Sequence, residues 1–182
     1  MSSYTDSLSQ LKYDTWIEIR RDRLKRNLQA LKRHSAPFAG VMAIVKANAY
    51  GHGLLEIART LTESEAVEYL GVSSIQEALN LKEHGVETPI FLFGRLFPEE
   101  IPAVLVNGLT LSCSSLEEAL EISRLSESLS RKTPIHVKVD TGMGRLGIPH
   151  ERALMDIEKI STLRGILLEG IYTHFPTAER ED

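Results

Sequence analysis

A lysine that ends an apolar run is the first residue whose type and position suggest chemistry. Lys46 directly follows the run Val41–Val45 and precedes Ala47–Gly53, which contains two glycines. Functional side chains gather at the carboxyl ends of strands in parallel α/β folds, and a lysine there can form a Schiff base with a carbonyl compound. The glycines permit close backbone approach to a ligand, and a helix start suits a phosphate. The alternative is a structural lysine whose ammonium group extends from the strand end into solvent.

The second candidate is a strand with alternating ionisable side chains. The run that ends at Asp140 has His136, Lys138 and Asp140 on one face and valines on the other. Three ionisable groups on an inner face are unfavourable unless they are paired, so they indicate either a ligand site or a paired structural network. The next residues, Thr141–Arg145, contain a Gly-x-Gly turn whose amides can approach a ligand, and Arg145 offers a planar fork for an anion. The alternative for this segment is an ordinary surface loop.

The third candidate is a histidine near the end of the last apolar run. Tyr172 and His174 share one face of that predicted strand, where an imidazole can stack on a flat cofactor or hydrogen-bond beside it. A core histidine with satisfied hydrogen bonds is the alternative. The sequence contains no HExxH motif, Cys-x-x-Cys pair or Gly-x-Ser-x-Gly elbow, so we predict neither a metal site nor a serine nucleophile. The single cysteine, Cys113, lies in an apolar run and is expected to be buried and inert.

Alternating strands and helices must position these residues. Strands are predicted at 41–45, 69–72, 90–94, 109–113, 135–140 and 167–174, with an early short strand at Trp16–Ile19. Helices are predicted at 20–34, 54–62, 98–107, after Pro149, after a Ser74 cap with Glu77 at capping-box spacing, and from Ser114 or Ser115 to about Ser130. This alternation implies right-handed crossovers and a parallel sheet. It fits either an open doubly wound sheet or most of an eight-stranded barrel.

Composition limits the class of protein. The 182 residues are 42% hydrophobic and 25% charged, which is ordinary for a soluble globular chain. The formal net charge of −4 argues against a large nucleic-acid surface, and no apolar run approaches the roughly 20 residues of a membrane span. One cysteine fits a reducing cytoplasm. Residues 1–12 are expected to form a disordered leader, because the first ten are polar and rich in serine, and they lack the apolar segment of a signal peptide.

Three blocks of the sequence resemble signatures of one family, the alanine racemases. They are Val45–Gly53, His136–Gly147 and Gly170–Phe175, which occur in the order that the family has, and Thr15–Ile19 resembles the family's usual start. The resemblance implies a fold-type III (β/α)8 barrel that binds pyridoxal 5′-phosphate (PLP). It also implies an amino-acid racemase, an isomerase that interconverts L- and D-alanine and supplies D-alanine for peptidoglycan.

The resemblance also implies a role for each candidate residue. Lys46 would hold PLP covalently and act as one of two catalytic bases, and Tyr50 would help to bind the phosphate. Arg145 would contact the phenolic oxygen of the cofactor and the substrate, and His174 would lie beside the pyridine ring. Lys138 corresponds to a lysine that the family often carries as a carbamate, an anion that would pair with Arg145, whereas a free ammonium would repel it.

The expected fold is α/β, a partial TIM-type barrel of about six of the eight βα units, without the family's C-terminal β domain. Residues 13–182 would form the N-terminal part of the PLP-binding barrel. In the family, the arginine at the pyridine nitrogen and the second base, a tyrosine from a partner subunit of a homodimer, come from regions beyond Asp182. We therefore expect a truncated alanine racemase that is inactive alone. The alternatives are a non-catalytic PLP-binding remnant, one half of a split racemase, a serine or broad racemase, or another fold-type III protein such as a decarboxylase or a PLP-homeostasis protein.

Overall fold

Strands and helices alternate along almost the whole chain. A computed structural model of the protein describes residues 16–35 and 37–179, so the predicted leader and Thr15 lie outside the described residues. The right-handed helices are α1 Arg21–His34, α2 Leu54–Thr62, α3 Ile75–Glu83, α4 Ile101–Val106, α5 Leu116–Ser128 and α6 His150–Ser161, and a short segment that spans Lys46–Tyr50 has left-handed dihedral angles from Ala47 onward. The strands are β1 Met42–Ile44, β2 Tyr69–Val72, β3 Ile90–Leu92, β4 Thr110–Cys113, β5 Thr133–Asp140, β6 Ile148–Pro149 and β7 Ile166–Tyr172.

The sheet has the winding of a barrel. Six parallel strands pair in the order β1-β2-β3-β4-β5-β7, and the two-residue strand β6 pairs with the end of β5. An open doubly wound sheet reverses its strand order, whereas a barrel adds each strand beside the previous one. The Tyr69 hydroxyl on β2 reaches Glu169 on β7 at 3.2 Å, so the sheet curls until strands that are not neighbours touch. The predicted partial βα barrel is confirmed, and the doubly wound alternative is wrong.

The two faces of this curved sheet differ in chemistry. Leu111 and Val137 are fully buried on the outer face, beneath the helices. Burial of one such aliphatic side chain stabilises the fold by about 1.5–3 kcal/mol. Inside the barrel, the ring of Phe91 lies 4.9 Å from the ring of His136 and 5.5 Å from that of Tyr172, measured between centroids. The inner face is therefore packed with aromatic rings, as expected for a barrel whose interior is filled by side chains.

Serine residues begin two of the helices. The Ser74 hydroxyl accepts a hydrogen bond from the Glu77 amide at 3.2 Å, and the Ser115 hydroxyl accepts one from the Glu118 amide at 3.1 Å. Each bond satisfies one of the amides that a helix leaves free at its N-terminus. The predicted cap at Ser74 is confirmed, and of the two candidates for the later helix Ser115 is the cap.

The early strand predicted at Trp16–Ile19 is wrong. Residues 16–20 have no regular structure, and the side chains of Trp16 and Ile17 are 74% and 71% exposed. A strand needs a partner for its backbone hydrogen bonds, and none of the strands in the described ranges pairs with this segment. Some boundaries also differ: α4 begins at Ile101, and β7 ends at Tyr172, so His174 lies beyond the strand.

Candidate active site

One cavity brings the five sequence candidates together. It has a volume of about 560 Å³ and is lined, among others, by Lys46, Tyr50, Lys138, Arg145 and His174. These residues lie at or just beyond the carboxyl ends of three parallel strands, which is where βα barrels carry their functional side chains. The volume lies within the range of about 300–1,000 Å³ that is usual for small-molecule sites. The geometry therefore supports one shared site, and the role of each residue remains a prediction.

The backbone after Lys46 is unusual. Val45 is buried, and its amide donates to the Gly71 carbonyl at 2.8 Å, which anchors the end of β1. Lys46 then opens a turn in which the four residues Ala47–Tyr50 all have φ between 51° and 54°. This is the left-handed region, which costs L-residues roughly 1–2 kcal/mol each. Backbone strain of this kind persists only where the surroundings determine it, and it is concentrated at functional sites.

Two side chains that sequence reasoning did not select hold this turn. The Asn48 side-chain oxygen accepts a hydrogen bond from the Leu54 amide at 2.8 Å, which ties the turn to the start of α2. The Asn48 amide donates to the Glu77 carboxylate at 3.1 Å. Asparagine is among the few non-glycine residues that tolerate the left-handed region, and this is the signal that sequence offers for Asn48. Glu77 was noticed only as part of a capping box.

Lys138 lies inside the barrel and faces another cation. Its side chain is only 8% exposed, and its Nζ atom lies 5.5 Å from the centroid of the Tyr172 ring. Burial lowers the pKa of Lys138, the positive charge of Arg145 lowers it further, and the carboxylate of Asp140 acts in the opposite direction. The site thus favours the uncharged amine of Lys138 more than water does.

Asp140 orders the loop that carries Arg145. Its carboxylate accepts hydrogen bonds from the amides of Gly142 and Gly144, each at 3.1 Å. These amide donors hold the pKa of Asp140 below its usual value. Gly142 and Gly144 have φ of 122° and 69°, a conformation that glycine adopts without strain. Asp140 therefore bonds to its own loop.

The third ionisable residue of that strand has structural partners. The ring of His136 packs between Tyr69 and Phe91, and its Nε2 atom lies 3.8 Å from the Glu169 carboxylate. Burial lowers the pKa of His136, and Glu169 opposes that shift. The paired structural network that was left open for this strand therefore describes His136 well. Of the three ionisable residues on this face, Lys138 is the one whose pKa is lowered by the charge of Arg145.

The end of β7 is fastened to the end of β5. The Thr173 hydroxyl donates to the Val139 carbonyl at 2.8 Å and shares a further bond with the Thr141 hydroxyl at 2.8 Å. The next residue, His174, is exposed and lines the cavity. The Tyr172 hydroxyl, whose pKa burial raises, bonds to Ser112 at 2.7 Å. These hydrogen bonds of Thr173 therefore fix the backbone that precedes His174 against the end of β5, from which the Arg145 loop starts.

Cys113 is separate from this chemistry. Its side chain is fully buried, and its thiol donates to the Ser115 carbonyl at 3.2 Å. Burial raises the pKa of the Cys113 thiol to about 12, so the reactive thiolate does not form at neutral pH. The prediction of a buried, inert cysteine is confirmed.

Comparison with known proteins identifies close relatives. The family profile "Alanine racemase, N-terminal domain" matches residues 19–182. The alanine racemase of Methanococcus maripaludis is 43% identical over 168 residues, which cover 92% of this chain and 45% of that protein. A structure of the alanine racemase of Clostridium difficile 630 superposes with a TM-score of 0.87 at 37% identity, covering 94% of this chain and 47% of that one. Its complex with cycloserine superposes with a TM-score of 0.85 at 36% identity, covering 91% and 46%.

These matches confirm the resemblance inferred from the three sequence blocks. They extend over more than nine tenths of this chain, but the chain spans about half the length of the curated relatives it matches. Within residues 16–35 and 37–179, no helix combines the length and the apolar character that crossing a bilayer requires.

Proposed function

The chain belongs to the alanine racemase N-terminal domain family, and from this premise we propose that it holds PLP for the interconversion of L- and D-alanine. The observation that carries the proposal is the single cavity lined by Lys46, Tyr50, Lys138, Arg145 and His174. Four of these residues were candidates from their type and position and Tyr50 from the resemblance, and they come together from the ends of three strands. The members of this family are isomerases, and we propose that this chain takes part in the same racemisation.

The side chains in the cavity suit this cofactor. A primary amine at Lys46 matches the aldehyde of PLP, and the guanidinium of Arg145 matches its phenolic oxygen. The hydroxyl of Tyr50 is a donor for the phosphate, and the imidazole of His174 is a flat neighbour for the ring. When bound, PLP supplies an electron sink for negative charge at the substrate α-carbon.

The chain's own residues would then divide the work. Lys46 removes or returns the α-proton on one face of the substrate, which is general acid–base chemistry by a positioned amine. Arg145 binds negative charge at the cofactor and at the substrate carboxylate, and the Asp140 turn sets its position. By the family resemblance, the base on the opposite face is a tyrosine from the partner subunit of a homodimer. Binding of PLP and turnover of alanine in the cytoplasm are therefore two proposals that need separate tests.

Lys138 belongs to the same proposal as a carbamylated lysine. Its amine adds to the carbon of CO₂, forms an N–C bond and releases one proton, and the product is an anion. This reaction uses the uncharged amine, and burial lowers the pKa of Lys138 toward that form. A carbamate would also replace the repulsion between Lys138 and Arg145 by attraction. In bicarbonate buffer, we expect the mass of the wild-type chain to increase by one CO₂ at Lys138, and we expect no increase in Lys138→Met. A wild-type chain that stays unmodified would contradict the assignment.

Covalent labelling tests the central proposal. The chain is incubated with PLP, reduced with borohydride and digested, and the pyridoxyl group is located by peptide mass spectrometry. We expect the label on Lys46 and its loss in Lys46→Arg. Lys32→Arg is the control, because Lys32 lies on α1 outside the cavity and pairs with Glu68. Label that is absent, or scattered over surface lysines, would refute PLP binding at this site.

Activity tests the finer proposal and separates two candidate functions. A coupled assay for D-alanine measures turnover by the chain alone. Label at Lys46 without turnover supports PLP binding without catalysis by this chain alone. Turnover that is lost in Lys46→Arg supports racemisation.

A further inference from the structure

Glu77 makes contacts that its place in the helix does not require. It lies in the first turn of α3, where its amide donates to the Ser74 cap at 3.2 Å. In a capping box, the acidic side chain at this position returns to the amide of the cap residue itself. Here one carboxylate oxygen accepts from the Ser73 amide at 3.1 Å, and the other accepts from the Asn48 amide, also at 3.1 Å. The carboxylate thus bridges the loop at Ser73 and the turn at Asn48, a residue that lies 29 positions before Glu77 in the sequence.

Both bridged loops belong to the cavity. Ser73 lines it directly, and Asn48 lies two residues after Lys46 in the left-handed turn that also carries Tyr50. Two neighbouring amides bond to nearby carbonyls: Ala49 donates to Val45, and Gly51 donates back into the turn. The Asn48 amide instead donates to Glu77. A charged acceptor makes a hydrogen bond stronger than a neutral acceptor does.

We propose that Glu77 is a positioning residue, whose carboxylate holds the left-handed turn against the β2–α3 loop and so directs the Lys46 amine into the cavity. The inference rests on the proposed function, because it takes Lys46 as the lysine that reacts with PLP. Glu77 itself does not line the cavity. It acts through the Asn48 amide, and its replacement should change how fast Lys46 reacts while other lysines react as before.

Three variants separate positioning from ordinary helix capping. Glu77→Gln keeps the size of the side chain but removes its charge, and one of its two acceptor oxygens becomes an NH₂ donor. Glu77→Asp keeps the charge but is one methylene shorter, which withdraws the carboxylate from Asn48. Ser74→Ala removes the α3 cap and leaves the Glu77 carboxylate in place. Glu83→Gln, at the exposed end of the same helix, is the matched charge control.

The first measurement is the initial rate at which Lys46 is labelled by PLP and borohydride in the full chain. The second is hydrogen exchange of peptides covering 47–53 without PLP. We expect Glu77→Gln and Glu77→Asp to slow Lys46 labelling about tenfold and to speed exchange in 47–53, because loss of a charge-assisted hydrogen bond is an effect of about this size. Ser74→Ala and Glu83→Gln should leave both measurements at the wild-type value.

The outcomes distinguish failure of the inference from failure of the proposed function. The inference is overturned if both Glu77 variants are labelled at Lys46 at the wild-type rate and exchange at the wild-type rate. It is also overturned if Ser74→Ala slows labelling to the same extent as the Glu77 variants, because that result points to general loosening of α3. If wild-type Lys46 is never labelled, the proposed function fails. The exchange measurement then still decides whether Glu77 holds the turn, since unchanged exchange in both variants overturns that as well.

Discussion

Replacing Ala47 by glycine should stabilise this protein, although replacing alanine by glycine inside a right-handed helix destabilises a protein. Ala47 is exposed and has φ 53° and ψ 51°, so the substitution removes left-handed strain without emptying any buried volume. That strain is roughly 1–2 kcal/mol for alanine and near zero for glycine. Glycine also lowers the free energy of unfolding by about 0.4–1 kcal/mol, because it makes the unfolded chain more flexible. The net expectation is a gain of about 0.8 kcal/mol in the free energy of unfolding.

Urea denaturation followed by circular dichroism measures this difference. With a slope of about 2 kcal/mol per molar urea, the midpoint should rise by about 0.4 M. Ala30→Gly is the matched control, because Ala30 lies inside the right-handed helix α1. There glycine should lower the free energy of unfolding by about 0.5–1 kcal/mol, in the opposite direction. A midpoint that falls in Ala47→Gly as it does in Ala30→Gly would refute the left-handed turn and the account of Lys46 built on it.

Three further predictions concern the cap, the barrel interior and the buried lysine. Ser115→Ala should destabilise the chain by about 1 kcal/mol in urea denaturation, and Ser114→Ala should have little effect because the Ser115 hydroxyl makes the cap; equal losses would contradict that assignment. Gly71→Ala should destabilise by about 1–3 kcal/mol in the same assay, because a Cβ atom there would meet the Phe93 ring at 2.5 Å and Ile44 at 2.8 Å. Lys138→Met should raise the melting temperature near pH 7, measured without CO₂. The pKa of Lys138 in the folded chain lies below its ordinary value of 10.5, so protonation of the amine lowers the free energy of unfolding. This destabilisation is complete at a pH below the folded-state pKa. It disappears as the pH rises to about 10.5. The advantage of Lys138→Met should therefore shrink over that interval, and a constant advantage would show that charge is not the cause.

Local order along the chain was predictable from the sequence. Apolar runs such as 41–45, and the alternating run that ends at Asp140, predicted strands of the parallel sheet, because buried strands are apolar and half-polar strands alternate. Ser74 predicted a helix start because its hydroxyl supplies the acceptor that the first turn lacks. The three sequence blocks predicted the family, which the comparisons confirm. The roles of the five cavity residues remain predictions.

Errors arose where the outcome depended on partners that the local pattern does not show. The segment Trp16–Ile19 has the alternation of a strand, but pairing requires a neighbouring strand, and the described residues provide none for it. The ionisable face of β5 looked like one set of three groups. Asp140 instead bonds to its own loop, and His136 joins an aromatic cluster. Lys138 is the one of the three whose pKa is lowered both by burial and by the positive charge of Arg145.

Local sequence was enough to place the strands of the sheet and the helices between them, because hydrophobic periodicity and capping act over a few residues. It also determined which side chains stand at strand ends. Tertiary structure alone decided that the sheet curls into a barrel, since strand order and the contact between Tyr69 and Glu169 join distant parts of the chain. It alone decided the left-handed turn after Lys46. That conformation is unfavourable for the residues in it, and the hydrogen bonds from the Asn48 amide to Glu77 and from the Leu54 amide to Asn48 link it to residues outside the turn.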